Sequence, residues 1–365
     1  MVTVSYISRK TALGIEHRMP TIRDVAKLAG VSPITVSRVI NNTSYISEGT
    51  KKRVEAAIRQ LGYVPNTLAR SLRSRRTCTL ALVLTDITNP FWTTVARGAE
   101  DAASKAGFSM MLGNTDESEE KQARYMKALL EKQIDGILFV PVGKTPALIR
   151  MLKRQDVPVV VLDRRITGDR ADVVRCDSEG GAYKLTNLLI SLGHRRITVL
   201  SGPQSISTAE DRVQGYRRAL AEQGVPIQPG LIQYGKFTVE SGAEMAHHVL
   251  KLTPRPTAIF AGNNFIAIGA LKAMQELHVR VPEDVALVGF DDLPANLTID
   301  PFLTVARQPA YEMGSRAAEL LLARLDGTAP RGYQEVILPT EVEIHHSSGS
   351  PVSALRAAFA VASAG

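Results

Sequence analysis

Between residues 20 and 62 apolar positions recur at helical spacing, and from residue 79 onward the pattern changes to short apolar runs separated by amphipathic stretches. In the first region Ile22, Val25, Ala26 and Ala29 share one face behind Thr21, a predicted N-cap with Asp24 three positions on. Gly30-Val31-Ser32 breaks this helix, and Ser32 caps a second one with Pro33 in its first turn, where a missing N–H costs nothing. Val36, Val39 and Ile40 form the apolar stripe of the second helix; Ile34, Ser37, Arg38 and Asn41, at i, i+3, i+4 and i+7, form another. A third helix is predicted from about Glu48 to Leu61, with Val54, Ala57, Ile58 and Leu61 inward and Gly62 as its stop. This is the pattern of a helix-turn-helix whose second helix enters a DNA groove, or, more blandly, of a helical hairpin with a solvated polar face.

The runs LALVL (80–84), GILFV (136–140), PVVVLD (158–163), RITVLSG (196–202), TAIFAG (257–262) and DVALVGFDD (284–292) are predicted strands. Stretches such as Arg97–Lys105, Glu119–Lys132, Ala209–Gln223, Ala267–Leu277 and Met313–Leu325 are predicted helices between them. Continuous apolar strands alternating with helices predict parallel sheets covered on both faces. The alternation occurs twice, over about 79–177 and 178–308, so the expected body, 79–346, has two similar lobes. The remainder, about Pro309–Ile344, is expected to hold one helix and one strand and to complete both lobes, 309–336 returning to the first and 337–346 to the second.

Outside these regions the pattern weakens. Residues 1–18 show no period and are expected to be an N-terminal extension, with Met19 as the natural start of the 19–63 DNA-binding module. Residues 64–78 form an Arg-rich linker in which Pro65-Asn66 opens a short helical stretch carrying Leu68 and Leu72. The small-residue segment 347–365 is expected to be a flexible tail.

Charge sharpens the picture. Residues 1–77 hold 14 Lys and Arg against 4 Asp and Glu, whereas 78–365 hold 30 against 32, so the whole basic excess sits on the helix-turn-helix segment, where phosphates would need it. No apolar run approaches the ~20 residues of a membrane span, and the N-terminus lacks an apolar secretory core. A cytoplasmic protein with no membrane partner is expected. Cys78 and Cys176 make neither a disulfide framework nor a metal spacing, and none of the seven histidines sits in a ligand pattern, so no metal or cofactor is expected. A sugar-processing enzyme would need a positioned acid/base pair, nucleophile, phosphate loop or metal cluster, and no such constellation is recognisable, leaving no catalytic residues to nominate.

TIRDVAKLAGVSPITVSRVIN, GYVPNTLARSLRSRRT, and then NPFW, LDRR, DRVQGY, AGNN, GFDD and RQP occur in an order that resembles the lactose/galactose-repressor (LacI/GalR) family of bacterial transcription regulators across about residues 19–345. The resemblance implies an N-terminal all-α helix-turn-helix domain followed by a two-lobed α/β body like periplasmic sugar-binding proteins, working as a homodimer on a near-palindromic operator. It implies base reading by Pro33, Ile34 and Arg38, and phosphate contacts by Thr21, Thr35, Ser37, Asn41 and Tyr45, with Asn66 also on DNA. Leu72 matches the linker leucine that wedges into the minor groove, where an apolar side chain can unstack a base step.

For the body, sugar chemistry points to the second set of residues. Hydroxyl pairs suit the bidentate groups of Asp, Asn and Arg, and ring C–H faces suit Phe and Trp. Asn89, Phe91 and Trp92 follow the first strand, Asp163-Arg164 ends a later one, and Arg212 opens a helix; Phe237, Asn263, Phe290-Asp291 and Gln308 complete the set. Carboxyl ends of parallel strands face a ligand crevice, so these positions can converge. The combination resembles the ribose-binding branch of the fold, with Trp92 where Phe is common. The expected function is a sugar-controlled transcriptional repressor, pentose favoured; a transport or chemotaxis binding protein of the same body fold is the alternative, against which the basic N-terminal module stands.

Overall fold

In a computed structural model of the chain, the described residues are 20–41, 45–64, 76–143, 146–166, 171–293 and 302–349. They divide into two compact units that separate between Thr77 and Cys78.

The first unit contains three helices, α1 (Ile22–Ala29), α2 (Pro33–Asn41) and α3 (Glu48–Leu61). Thr21 and Asp24 form a reciprocal capping box: the Thr21 N–H donates to Asp24 Oδ2 at 2.8 Å and the Asp24 N–H donates to Thr21 Oγ1 at 3.4 Å. Gly30 then takes the left-handed conformation, φ 63°, that ends α1 without a Cβ penalty. Ser32 Oγ accepts from the Thr35 N–H three residues on, which caps the start of α2. Val25, Ala26, Ala29, Val36, Val54 and Ala57 are buried against one another as a small core. With so little apolar area available, each cap contributes a sizeable share of this unit's stability.

The second unit is a pair of α/β lobes. The first is built from β1 (Thr79–Leu84), α4 (Pro90–Lys105), β2 (Ser109–Asn114), α5 (Glu119–Glu131), β3 (Gly136–Phe139), α6 (Pro146–Arg154), β4 (Val159–Leu162) and β5 (Asp172–Cys176). The second runs α7 (Ser178–Ser191), β6 (Ile197–Ser201), α8 (Ser207–Glu222), β7 (Ile232–Tyr234), α9 (Val239–Leu250), β8 (Ala258–Ala261), α10 (Asn264–Glu276), β9 (Ala286–Phe290) and β10 (Thr304–Arg307). The chain then returns through α11 (Ala310–Leu325) and β11 (Glu335–Leu338) to the first lobe, and through β12 (Glu341–Glu343) to the second. Strand orders are β11-β5-β4-β3-β1-β2 and β12-β10-β9-β8-β6-β7, the same winding twice; every pairing is parallel except β12 against β10.

Side-chain alternation fills both faces of each sheet. In β1, Leu80, Leu82 and Leu84 enter one core and Ala81 and Val83 the core on the opposite face. In β8, Ala258 and Phe260 split from Ile259 and Ala261 in the same way. A strand buried on both sides must be apolar throughout, which is why these runs were visible in the sequence.

Several expectations need correction. Strands β2, β5, β7 and β10 were not expected: β2 and β7 are edge strands with polar or exposed positions, and β5 and β10 each carry an arginine that interrupts the apolar run. The returning segment holds two strands, and β11 pairs as a whole with β5, so the boundary expected after residue 336 moves beyond Leu338. The segment expected to be a tail does not begin at Ser347. His346–Ser348 is a 3-10 turn in which Ser347 Oγ donates to Leu287 O at 2.6 Å and accepts from the Thr304 N–H at 2.8 Å, with both serines fully buried. Phe91 and Trp92 lie in the first turn of α4, which begins earlier than residue 97, because Asn89 caps it and Pro90 fits its N-terminus. The calls on residues 1–18, Asn66, Leu68 and Leu72, and on 350–365, lie outside the described residues.

Helix pairs cross at glycines. A Cβ at Gly314 of α11 would collide with the Val95 carbonyl of α4, and one at Gly98 would collide with the Tyr311 carbonyl. Both obstacles are backbone, which cannot move aside as a flexible side chain can. Gly314→Ala is therefore expected to destabilise the second unit by about 1–3 kcal/mol, the usual cost of overpacking, although alanine is otherwise the better helix former. Chemical denaturation of the full chain followed by tryptophan fluorescence checks this, since Trp92 is buried in the same first-lobe core.

Candidate functional site

On the first unit, the expected DNA-contacting residues separate into those that hold the module's shape and those that face outward. Thr21 caps α1, and its hydroxyl donates to Asp24 Oδ2 at 2.6 Å. The Thr35 and Ser32 hydroxyls lie 2.9 Å apart. Asn41 Nδ2 donates to the Ser37 carbonyl at 2.8 Å and to its hydroxyl at 3.2 Å, which ties down the end of α2. Pro33, Ile34, Arg38 and Asn41 are exposed; Ile34 is 66% and Tyr45 97% exposed. Large apolar groups left in water beside an unburied arginine, on the face opposite Val36, form a surface suited to the methyls and edges of bases.

On the second unit the ligand chemistry converges. A cleft of about 600 Å³ opens between the two lobes, and Asn89, Phe91, Trp92, Asp163, Arg164, Arg212, Phe237, Asn263, Asp291 and Gln308 all line it. Phe290 does not: its ring is fully buried in the second lobe's core, where it lies 4.0 Å beneath the Arg212 guanidinium. Its strand faces the core at that position, and only the following residue turns into the cleft.

That turn is made the same way in both lobes. Asp163 follows β4 and Asp291 follows β9, equivalent strands in the two sheets, and both take left-handed backbone with φ of 65° and 64°. Each N–H still bonds to the next strand, Asp163 to Val174 O and Asp291 to Ala306 O. Non-glycine residues at such angles cost of order 1–3 kcal/mol each, a strain that collects at ligand sites. Here it aims a carboxylate from each sheet into the space between them.

The arginines answer those carboxylates. Arg164 Nη1 donates to Glu117 Oε2 at 2.9 Å and to Pro141 O at 2.7 Å, and its Nη2 completes a two-pronged ion pair with Glu117. Arg212 is fully buried and donates to Gly262 O. Burial raises the Asp163 pKa against the opposing pull of Arg212 and then Arg164. Burial likewise raises Asp291 to about 6, with Arg212 and the Gln308 amide opposing it. Gln308 Nε2 reaches both Asp291 oxygens at 3.0 and 3.1 Å. Among the described residues, three buried polar atoms of the cleft have no hydrogen-bond partner: Arg164 Nε, Arg212 Nε and Gln308 Oε1. Two donors and an acceptor left unpaired in a cleft call for a ligand with hydroxyl-like groups.

Aromatic rings supply the apolar side. Phe91 and Trp92 meet edge to face with centroids 4.8 Å apart. Phe237 presses on Gly202, where a Cβ would collide with the ring.

The three chain crossings beside the cleft sit at Asp177, at Gln308-Pro309 and at Pro339-Thr340. Asp177 caps α7, its N–H donates to Leu338 O at 2.9 Å, and Thr340 Oγ1 donates to its carbonyl at 3.2 Å. Asp177 therefore ties crossings together and Cys176 packs in the core, its thiol pushed well up by burial. Across the cleft mouth, Asn89 and Asn264 exchange side-chain amide bonds of 3.0 Å each, and the Arg165 N–H donates to Ser207 Oγ at 2.9 Å.

Sequence reasoning missed Glu117, Asn264 and Lys236. Glu117 lies in an acidic run that also reads as a helix N-terminus, and only the fold brings it to Arg164. Among the described residues no cluster of metal-ligating side chains occurs, and no helix is long and apolar enough to cross a membrane.

Comparison with known proteins agrees with this division. Residues 21–66 match the model of bacterial regulatory proteins of the lacI family, and residues 77–342 match that of periplasmic binding proteins and the sugar-binding domain of the LacI family. The chain is 37% identical over 308 residues to the HTH-type transcriptional repressor PurR of Vibrio atlanticus, covering 84% of this chain and 92% of that one. Among solved structures, a transcriptional regulator CelR–cellobiose complex is 35% identical with a TM-score of 0.69, covering 90% of this chain and 99% of its own. The lac repressor dimer bound to operator and an anti-inducer is 27% identical with a TM-score of 0.81, covering 91% and 99%. The chain belongs to the LacI family, as a DNA-binding transcriptional repressor with a periplasmic-binding-protein-like, sugar-binding type of body.

Proposed function

We propose that this repressor binds a near-palindromic operator as a homodimer and changes its DNA affinity when a small sugar occupies the cleft between the lobes. The observation that carries the effector reading is the pairing of Asp163 and Asp291, one carboxylate from each sheet, with buried unpartnered donors on Arg164 and Arg212 and an unpartnered acceptor on Gln308. A sugar hydroxyl both donates and accepts, so vicinal hydroxyls can satisfy these groups together while Trp92, Phe91 and Phe237 cover C–H faces. The set Asn89, Asp163, Arg164, Arg212, Asn263, Asp291 and Gln308 favours ribose or a related pentose. The solved CelR–cellobiose complex supports the sugar class more broadly. Because carboxylates of both lobes would bond one ligand, the closed arrangement of the lobes gains the ligand's binding energy, and by linkage DNA alters sugar affinity by the same factor.

On the DNA unit, Pro33, Ile34 and Arg38 are the proposed base-reading residues, with phosphate contacts from Thr21, Thr35, Ser37, Asn41 and Tyr45. Asn66 and the Leu72 wedge belong to the same proposal.

Three outcomes test this reading. Asp291→Ala should abolish sugar binding in calorimetry while leaving operator affinity in a gel-shift assay within about twofold; unchanged sugar affinity would refute the site. Protonated Asp291 loses acceptor capacity, and its pKa near 6 sets the window. Sugar affinity should therefore be flat above about pH 7 and fall below about pH 6, approaching tenfold per pH unit. Affinity that instead improved on acidification would mean that the neutral acid is the binding form. Arg38→Ala should lose about 1–3 kcal/mol of operator binding and relax selection at one base pair per half-site; a uniform loss on all sequences would make it a phosphate contact.

A further inference from the structure

We infer that the effector is uncharged, and that Glu117 sets this selectivity by balancing the charge of Arg164. The inference rests on the cleft's being an effector site, as proposed above, and goes on to the charge of what it admits.

An arginine in a ligand cleft is ordinarily the group that grips a phosphate or carboxylate, because its paired N–H donors match two oxygens. In this cleft Arg164 spends that geometry inside its own lobe. Both terminal nitrogens bond the Glu117 carboxylate, and Nη1 also reaches Pro141 O. What remains is the Nε–H, buried and without a partner among the described residues, and the second Nη2–H beside it. These donors can bond hydroxyls, but the guanidinium's charge is already balanced by the Glu117 carboxylate, so they offer an anion little net attraction.

The turn that delivers Glu117 is built at a conformational cost. Asp116 and Glu117 are consecutive non-glycine residues with left-handed backbone, φ 49° and 55°. Asp116 is held there by Asn114 Nδ2 at 2.6 Å and by an ion pair with Lys121. Such strain persists where surrounding contacts enforce it, and here it brings a carboxylate to Arg164, the first-lobe arginine among the described residues that line the cleft.

Arg212 gives no free positive charge either. It is fully buried, lies on the Phe290 ring, and has Asp291 and Asp163 as its strongest charge partners. Among the described residues that line the cleft, six carboxylates stand against three cations, Arg164, Arg212 and Lys236. An anionic ligand would give up its hydration and meet excess negative charge, and its charged group would offer no donor to Asp163 or Asp291. A neutral polyol offers both donors and acceptors, and carries no charge to desolvate.

Calorimetry on the full chain tests this with matched pairs: ribose, glucose and cellobiose beside ribose 5-phosphate, glucose 6-phosphate and gluconate. The wild type should bind its preferred neutral sugar at least about tenfold more tightly than any anionic relative. Glu117→Gln removes the counter-charge but keeps an amide oxygen for Arg164, and should narrow that ratio by about tenfold, with the anions' affinity falling as salt rises. If Glu117 only shaped the turn, Glu117→Gln would weaken neutral and anionic ligands alike, and an unchanged ratio overturns its role. A wild type that prefers a phosphate or acid overturns the neutral-effector inference while leaving a sugar-derived effector in place. Failure of every compound to bind overturns the sugar reading, and the inference with it. The wild-type comparison needs no variant, so it decides the main point even if Glu117→Gln folds poorly.

Discussion

A buried guanidinium holds the ligand-binding body to a narrow set of arrangements. Arg212 is sealed in the second lobe against the Phe290 ring, and an unbalanced charge in such a place would be severely destabilising. Its balance comes from Asp291 in its own lobe and Asp163 in the other. The carboxylates in turn are buried, and burial alone drives both toward the protonated form. Cation and acids keep one another charged. The geometry of the cleft, its hydrogen-bonding valence and its response to pH all follow from that mutual dependence, as does the presence of carboxylate strength on both sides of a gap.

The doubled winding makes the dependence possible. Parallel strands in each lobe end at the same edge, so equivalent turns after β4 and β9 put one Asp each into the space between the sheets. The chain passes between lobes three times, and the crossings at Asp177 and Thr340 are hydrogen-bonded to each other. Bonds between Asn89 and Asn264, and from Arg165 to Ser207, join the lobes away from those crossings. These are few and polar, and the apolar cores remain within each lobe. A body with rigid lobes joined by a small number of exchangeable polar contacts is one whose lobe angle a ligand can bias at modest cost.

The helix-turn-helix works on a different principle. Its core is a handful of Val and Ala residues, and several residues that the family resemblance places on phosphates, Thr21, Thr35 and Ser37, already take part in capping or helix-end bonds. A hydroxyl can do both, since it accepts and donates, so shape-holding and DNA contact need not compete. Among the described residues, no such bond engages the outward residues Ile34, Arg38 and Tyr45.

Periodicity in the sequence determined the class of each region. Helical spacing with Gly30 and Gly62 defined the small module, and continuous apolar runs defined the central strands, because burial on one face or on two leaves different patterns. Motif order was enough to identify the family and to nominate ten of the residues that line the cleft. The edge strands β2 and β7 and the buried Ser347-Ser348 turn escaped notice, since half-exposed or hydrogen-bonded polar segments carry no apolar signature. Phe290 was nominated for the cleft although it supports Arg212 from below: one residue's difference along a strand exchanges core for cleft, and only the twist at Asp291 decides which residue emerges. Glu117 and Arg164 lie 47 residues apart and the amides of Asn89 and Asn264 lie 175 apart. No local pattern encodes such pairs. Which charges are cancelled, and therefore what the cleft can hold, is settled only when the folded chain brings them within hydrogen-bonding distance.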